Sequence, residues 1–238
     1  FLPIKSYSHI VEGNALRLNW EEVVPKDKLS YIIGNPPFVG AKYSTKIQKE
    51  NLLAVDSRLS GVDFVAGWFY KASKFIQSTK IQVGFVSTNS LIQGEQVSKV
   101  WRYLMEELNI QINFAYKPFV WNSEAKNKAA VHCVIIGFSV EKNKNKIVFE
   151  NGVKVKYNFI NPYLVEGKNI FLENRNRPVC KVSKINKGSQ PTDGGYLILS
   201  EDEKNELIKK DPNVESYIKR YMGAQDFISG RKRYCLWL

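Results

Sequence analysis

Apolar positions along this chain switch between a period of two, a period near 3.6 and short unbroken runs, and the switches mark out its elements. Residues 9–16 read as a short strand running into a turn, and residues 30–34 as a second strand. Residues 40–60 are polar and irregular, rich in Lys, Gln and Ser, and predict a long loop, which in a compact domain is functional or mobile. A helix follows, with Ser60 and Asp63 at capping-box spacing and Val65, Trp68, Phe69, Ala72, Phe75 and Ile76 at helical period. The unbroken apolar run at 81–87 predicts a buried strand of the parallel type. Val97, Val100, Trp101, Leu104, Met105 and Leu108 mark the next helix. Two strands, 111–116 and 131–138, come after it, joined by a loop carrying Trp121-Asn122-Ser123-Glu124-Ala125. Alternating strands and helices predict an α/β fold with a parallel sheet. The last two strands have no room for a helix between them, so they are expected to form an antiparallel pair at one edge.

The pattern breaks at 141–146, a charged stretch expected to be a solvated turn. Two short strands then flank Asn151-Gly152, a strong hairpin signal. From about residue 161 the texture is loop-rich, with Pro162, Pro178, Pro191 and Gly194-Gly195. Two helices are expected to close the chain. Ser200 caps the first, with Glu203 at the reciprocal position; Asp211-Pro212 opens the second, which runs through Tyr221 and stops at Gly223. The expected organisation is a main α/β portion over 1–145, a hairpin and linker over 146–190, and a mixed α+β segment over 191–238.

Composition adds a partner. Lys and Arg total 35 against 23 Asp and Glu, a net +12, which favours a polyanion. Hydrophobic residues make up 44% of the chain, enough for a true core. Cys133, Cys180 and Cys235 are widely separated and fit neither zinc spacing nor a disulfide framework, so a reducing intracellular compartment is expected and no metal. His132 falls within an apolar run and reads as a core or strand residue. No apolar run reaches membrane-spanning length and no signal peptide is visible. The chain opens at Phe1 without Met and reads as a piece of something longer.

Candidate chemistry sits at the end of the second strand, in Asn35-Pro36-Pro37-Phe38. An aromatic amine is a poor nucleophile because its lone pair is delocalised into the ring. The Asn35 side-chain oxygen and the Pro36 carbonyl could each take one N–H and draw that lone pair out of conjugation. Pro36 and Pro37 fix φ and lack N–H donors, which stiffens the loop. Phe38 offers a face to a base. Asn-Pro and Pro-Pro are also ordinary turn signals, so the four letters alone leave both readings open.

The order of segments carries more. Gly13-Asn14-Ala15-Leu16, Asn35-Pro36-Pro37-Phe38, the stretch from Phe85 through Thr88-Asn89-Ser90 to Gln93-Gly94-Glu95-Gln96, and Trp121-Asn122-Ser123-Glu124-Ala125 succeed one another. Asn35-Pro36-Pro37-Phe38 resembles the catalytic motif of N6-adenine DNA methyltransferases, and the whole succession resembles the catalytic half of a class I methyltransferase, more narrowly the MmeI-like restriction-modification family and related phage-defence methylases. The ending from Tyr221 to Ile228, with Gly230 and Arg233 to Leu238, resembles the start of that family's target-recognition domain.

The resemblance implies a partial class I (Rossmann-like) methyltransferase sheet lacking its first strands, followed by the start of a recognition domain. It implies methyl transfer from S-adenosylmethionine to a flipped adenine in double-stranded DNA, in the bacterial cytoplasm and away from any membrane. Asn35, Pro36, Pro37 and Phe38 would be catalytic. Trp121, or else Phe119, would stack on the base. Asn14 and Ala15, with Asn35, would contact the cofactor; Ser87, Thr88 and Asn89 would line the pocket. Lys126, Lys128, Arg231, Lys232 and Arg233 would meet DNA. Trp121 as a plain hairpin aromatic, Asn14 as a mere turn residue and Arg231-Lys232-Arg233 as a solvated turn remain alternatives. The family's glycine-rich cofactor loop is not found here, so an incomplete cofactor site, a catalytically silent chain and an exposed sheet edge prone to self-association are expected. Two other functions stay open: a non-catalytic DNA-binding module, and methylation of a protein glutamine or an RNA base.

Overall fold

The computed structural model describes residues 10–120, 132–175, 178–183 and 192–237. The chain divides into two units, residues 1–175 and 176–238. The first contains helix α1 (Trp20–Val23), strand β1 (Tyr31–Gly34), α2 (Lys46–Val55), α3 (Ala66–Phe75), β2 (Gln82–Thr88), α4 (Gly94–Glu106), β3 (Gln111–Val120), β4 (His132–Ser139) and the hairpin β5 (Lys146–Glu150) and β6 (Val153–Tyr157). The second contains β7 (Ile198–Leu199), α5 (Glu201–Lys210), β8 (Ile218–Tyr221), α6 (Ala224–Ser229) and β9 (Arg233–Leu236).

Six strands of the first unit form one sheet in the order β1-β2-β4-β3-β5-β6. β1 and β2 are parallel, with Gly34 opposite Phe85. β4 runs antiparallel to both β2 and β3, while β5 lies parallel to β3. The β3–β4 pair is therefore antiparallel as expected but interior, because β5 docks on the outer side of β3. The edge is the hairpin instead, and it is part of the sheet rather than of a linker. Its turn has Asn151 and Gly152 at φ of 49° and 79°, both left-handed, as a two-residue turn between twisted strands demands. Along β2, Val83, Phe85 and Ser87 are buried and alternate with half-buried residues. At the other edge of the sheet, Tyr31 and Ile33 of β1 are exposed.

Phe69 of α3 is fully buried and sits at the centre of an aromatic cluster, with ring centroids 5.4 Å from Phe85, 5.6 Å from Trp101 and 5.5 Å from Phe138. Each such pair adds about 0.5–1.5 kcal/mol beyond simple burial. This cluster fixes α3 and α4 over β2 and β4, and hence the carboxyl end of the sheet. Gly67 allows α3 to meet its neighbours closely: a Cβ there would lie 2.8 Å from Leu52 of α2 and 3.1 Å from Leu16.

Further expectations are corrected. The segment 40–60 is not a plain loop, since Thr45 and Gln48 form a capping box that opens α2. Ser60 and Asp63 do not cap α3, whose N-cap is Val65 with no side-chain bond. Residues 212–217 form a 3-10 turn and 218–221 leave it to pair with β9, so the last expected helix is absent. Among the described residues 10–16 there is no strand. His132 lies in β4, at its exposed end.

Candidate functional site

Three segments reach the carboxyl end of the sheet together. β1 and β2 run the same way, so residues 35–38 and the turn at 89–92 leave from the same end. In register, Thr88 lies opposite Cys133, and Cys133 lies opposite Phe119. Phe119 is thus two strand spacings, roughly 10 Å, from Thr88 at that same end. Residues 121–131 join β3 to β4 there by chain connectivity; Trp121, Lys126 and Lys128 lie outside the described residues.

Asn35 is exposed, Pro36 buried, Pro37 exposed and Phe38 half-buried against the core. Asn35, Pro36 and Pro37 line a recess of about 300 Å³ with Trp20, Ile32, Ile33, Trp68 and Phe85. Among the described residues, neither the Asn35 amide nor the Pro36 carbonyl is taken up by a hydrogen bond. Two acceptors stand unfilled beside an aromatic-walled recess. That is what binding a planar amine requires.

A second, apolar recess of about 400 Å³ adjoins the first, sharing Trp20, Ile32 and Ile33, and reaches Ala15, Leu18 and Tyr31. The turn holding Asn14 and Ala15 is built locally. The Asn14 side-chain oxygen accepts from Leu16 N at 2.9 Å, and its carbonyl accepts from Arg17 N and Leu18 N. Its oxygen is therefore committed to the turn, and only the amide nitrogen is left to meet a ligand. The next carbonyls are also held. Trp20 Nε1 donates to Ala15 O at 2.8 Å, and Lys71 Nζ donates to Leu16 O at 3.0 Å and to Leu18 O. Lys71 also lies 5.3 Å from the Trp20 ring centroid. Burial pushes its pKa below the ordinary lysine value.

Ser87 is fully buried, its hydroxyl donating to the Thr88 carbonyl at 3.2 Å, so it does not line an open pocket. Thr88 Oγ1 is 2.6 Å from Ser90 Oγ. Neither Thr88 nor Asn89 lines the recess at Asn35. In the second unit, Arg231 and Lys232 are exposed. Arg233 is paired within the unit: Nε donates to Asp226 Oδ1 at 2.8 Å and Nη2 to Oδ2 at 2.5 Å, which leaves the Nη1 side of the guanidinium for any other partner. Trp20, Trp68 and Asp63 belong to the site or its support without being singled out by the sequence. Trp68 reads there as one more core position, and Asp63 as a cap. Among the described residues no group of three or more His, Cys, Asp or Glu is placed to hold a metal ion.

Comparison with known proteins places the chain in a family. Residues 1–150 match the family model described as the MmeI DNA-methyltransferase domain, and residues 166–238 match the MmeI target recognition domain. DNA methyltransferase A of Bacillus subtilis (strain 168) is 40% identical over 243 residues, which is all of this chain and 28% of that protein. The type IIL restriction-modification enzyme MmeI, solved in complex with DNA, superposes with a TM-score of 0.90 at 42% identity, over 99% of this chain and 33% of that one. The chain thus spans about a third or less of the relatives it resembles.

Proposed function

Since this chain belongs to the MmeI family of DNA methyltransferases, we propose that its first unit forms the target-amine pocket of an adenine-N6 DNA methyltransferase using S-adenosylmethionine. Bound there, S-adenosylmethionine supplies a methyl group activated by a sulfonium. The residues of this chain prepare the acceptor. Asn35 Oδ1 and the Pro36 carbonyl each accept one N–H of the adenine amine, and the nitrogen lone pair rotates out of the ring. The amine so prepared would take the methyl group that the donor supplies and would lose its extra proton to solvent. Position and fixed dipoles carry the rate, as expected where no covalent intermediate is needed.

The residues present would hold only part of the donor, in keeping with the incomplete cofactor site expected from the sequence. Ala15 lines the apolar recess beside Asn35, Asn14 precedes it in the same turn, and Trp20, Ile32 and Ile33 connect the two recesses. The base must leave the duplex to arrive there, and Phe119 or Trp121 repays part of the stacking it loses. Double-stranded DNA is the proposed partner, met by the exposed Arg231 and Lys232 and by Lys126 and Lys128.

The observation that carries this reading is the exposed Asn35 amide, without a hydrogen bond among the described residues, lining a recess at the end of a parallel strand. Asn35→Ala in the full-length protein is expected to lower kcat for DNA methylation by about 10²-fold or more, as for loss of one fixed polar group aimed at a reacting atom. DNA affinity is expected to stay unchanged. Methylation at the original rate would overturn the proposal.

A further inference from the structure

One carboxylate outside the recess gathers three segments that meet around it. Asp63 is 9% exposed. Its Oδ1 accepts from Ala41 N at 2.8 Å and from Gln96 Nε2 at 2.8 Å. Its Oδ2 accepts from Ser90 Oγ at 2.5 Å, and Ser90 Oγ is in turn 2.6 Å from Thr88 Oγ1. The Asp63 backbone N–H donates to Gln96 Oε1 at 3.2 Å, so the Gln96 amide meets this residue through both of its polar atoms. One residue on, Phe64 N donates to Val39 O at 2.8 Å.

Consider what these bonds hold. Val39 and Ala41 follow directly on Phe38. The loop leaving Asn35-Pro36-Pro37-Phe38 is therefore fixed from two sides. The prolines stiffen its start, and residues 63 and 64 fasten the chain just past Phe38. The same carboxylate ties that loop to the end of β2, through Ser90 and Thr88, and to the first turn of α4, through Gln96. The spacing Thr88-x-Ser90-x₅-Gln96 thereby acquires a physical reason: all three side chains converge, directly or through one hydroxyl, on Asp63. The segment just past Asp63 also supplies Trp68, which walls the recess and packs edge-on to Phe64 at 5.1 Å.

We infer that Asp63 is a positioning residue for methyl transfer, holding the Asn35–Phe38 loop at the distance from the donor that reaction requires. This rests on the methyltransferase reading of the recess. Removing the carboxylate would strand three nearby donors and free the loop past Phe38. Displacement of a reacting group by ~1 Å costs about 10²-fold in rate. The cofactor recess near Ala15 involves none of these bonds, so donor binding should not change.

The test is steady-state methylation by the full-length protein with Asp63→Ala and Asp63→Asn, alongside Asn35→Ala. For Asp63→Ala the expected result is a fall in kcat of about 10²-fold with KM for S-adenosylmethionine and DNA affinity within threefold. Asp63→Asn should recover most of that loss. Its oxygen still accepts from Ala41 and Gln96, and its nitrogen donates to Ser90, whose own proton then turns to Thr88. A role in stability alone would lower the folded fraction and leave kcat per folded molecule intact, which would overturn the inference. So would unchanged kcat in Asp63→Ala, or Asp63→Asn as impaired as Asp63→Ala. If Asp63→Ala does not fold, Ser90→Ala and Gln96→Leu each remove one arm. Both should lower kcat with KM held, and unchanged kcat in both would sink the idea. Should Asn35→Ala itself methylate normally, the reading of the recess fails and the role of Asp63 falls with it. If Asn35→Ala is silent and Asp63→Ala is not, only the role of Asp63 falls.

Discussion

Asp226 and Arg233 show how a residue's role depends on what faces it. Arg233 sits in the basic run 231–233 and reads from the sequence as a phosphate contact. In the fold its guanidinium grips Asp226, which is 2% exposed and also accepts from Gly223 N at 2.8 Å. The Arg233 bond, then the Gly223 N–H, hold the Asp226 carboxyl below its ordinary pKa. A carboxylate depressed in the folded state adds stability that is fully present above its unfolded pKa of about 3.9. That stability is lost as pH falls through the lower folded value. Hydrogen exchange of the β8 and β9 amides in the whole chain should therefore quicken as pH drops below about 4, after correction for intrinsic rates. Asp226→Asn should already exchange faster at neutral pH and show a flatter acid dependence. An identical pH profile in the two proteins would refute this. Asn35 is the opposite case: the role proposed for it rests on local chemistry, needing only a strand end and two prolines.

At the level of elements, the correct expectations were those whose signals are self-contained. The helix at 94–106 and the hairpin at Asn151-Gly152 needed only periodicity and turn chemistry. Helix α2 escaped notice because its apolar stripe is thin. Only Asn51 and Leu52 are buried, while Ile47 and Leu53 are 69% and 48% exposed. A helix with so little buried surface depends on its ends. Thr45 Oγ1 accepts from Gln48 N at 3.3 Å, and Gln48 Oε1 accepts from Thr45 N at 2.9 Å. Thr45→Ala should cost about 1 kcal/mol, a common effect of losing an N-cap hydroxyl. Urea unfolding would measure it, and a change under ~0.3 kcal/mol would show that the cap is idle. Residues 218–221 erred the other way. Their helical spacing is real, but pairing with β9 satisfies their backbone groups and overrides it.

For the whole molecule, the net charge of +12 matters more than any one cation. Lys232 lies 3.7 Å from Glu201, but both side chains are more than half exposed, so the pair contributes little and does not hold the ammonium back from an anionic partner. Each phosphate contact releases counterions and steepens the fall of log K with log salt by about 0.9. Changing Arg231 and Lys232 together to Ala should thus flatten that slope by up to about two. Fluorescence anisotropy with duplex DNA at several salt concentrations reads it directly. An unchanged slope would remove both residues from the interface. No described helix is long and apolar enough to cross a membrane.

Composition, turn chemistry and segment order determined on their own the α/β class, the hairpin, the stiff Asn35–Phe38 loop and the pull toward a polyanion. Each follows from properties a residue carries with it: charge, a fixed φ, a missing Cβ, a periodic apolar face. Tertiary structure alone decided that the hairpin completes the sheet, that Arg233 pairs with Asp226, and that Thr88, Ser90 and Gln96 converge on Asp63. Those outcomes turn on which groups the chain brings together across 7 to 33 residues of sequence. Hydrogen-bond and strand partners at such separations leave no periodic mark for a linear reading to find.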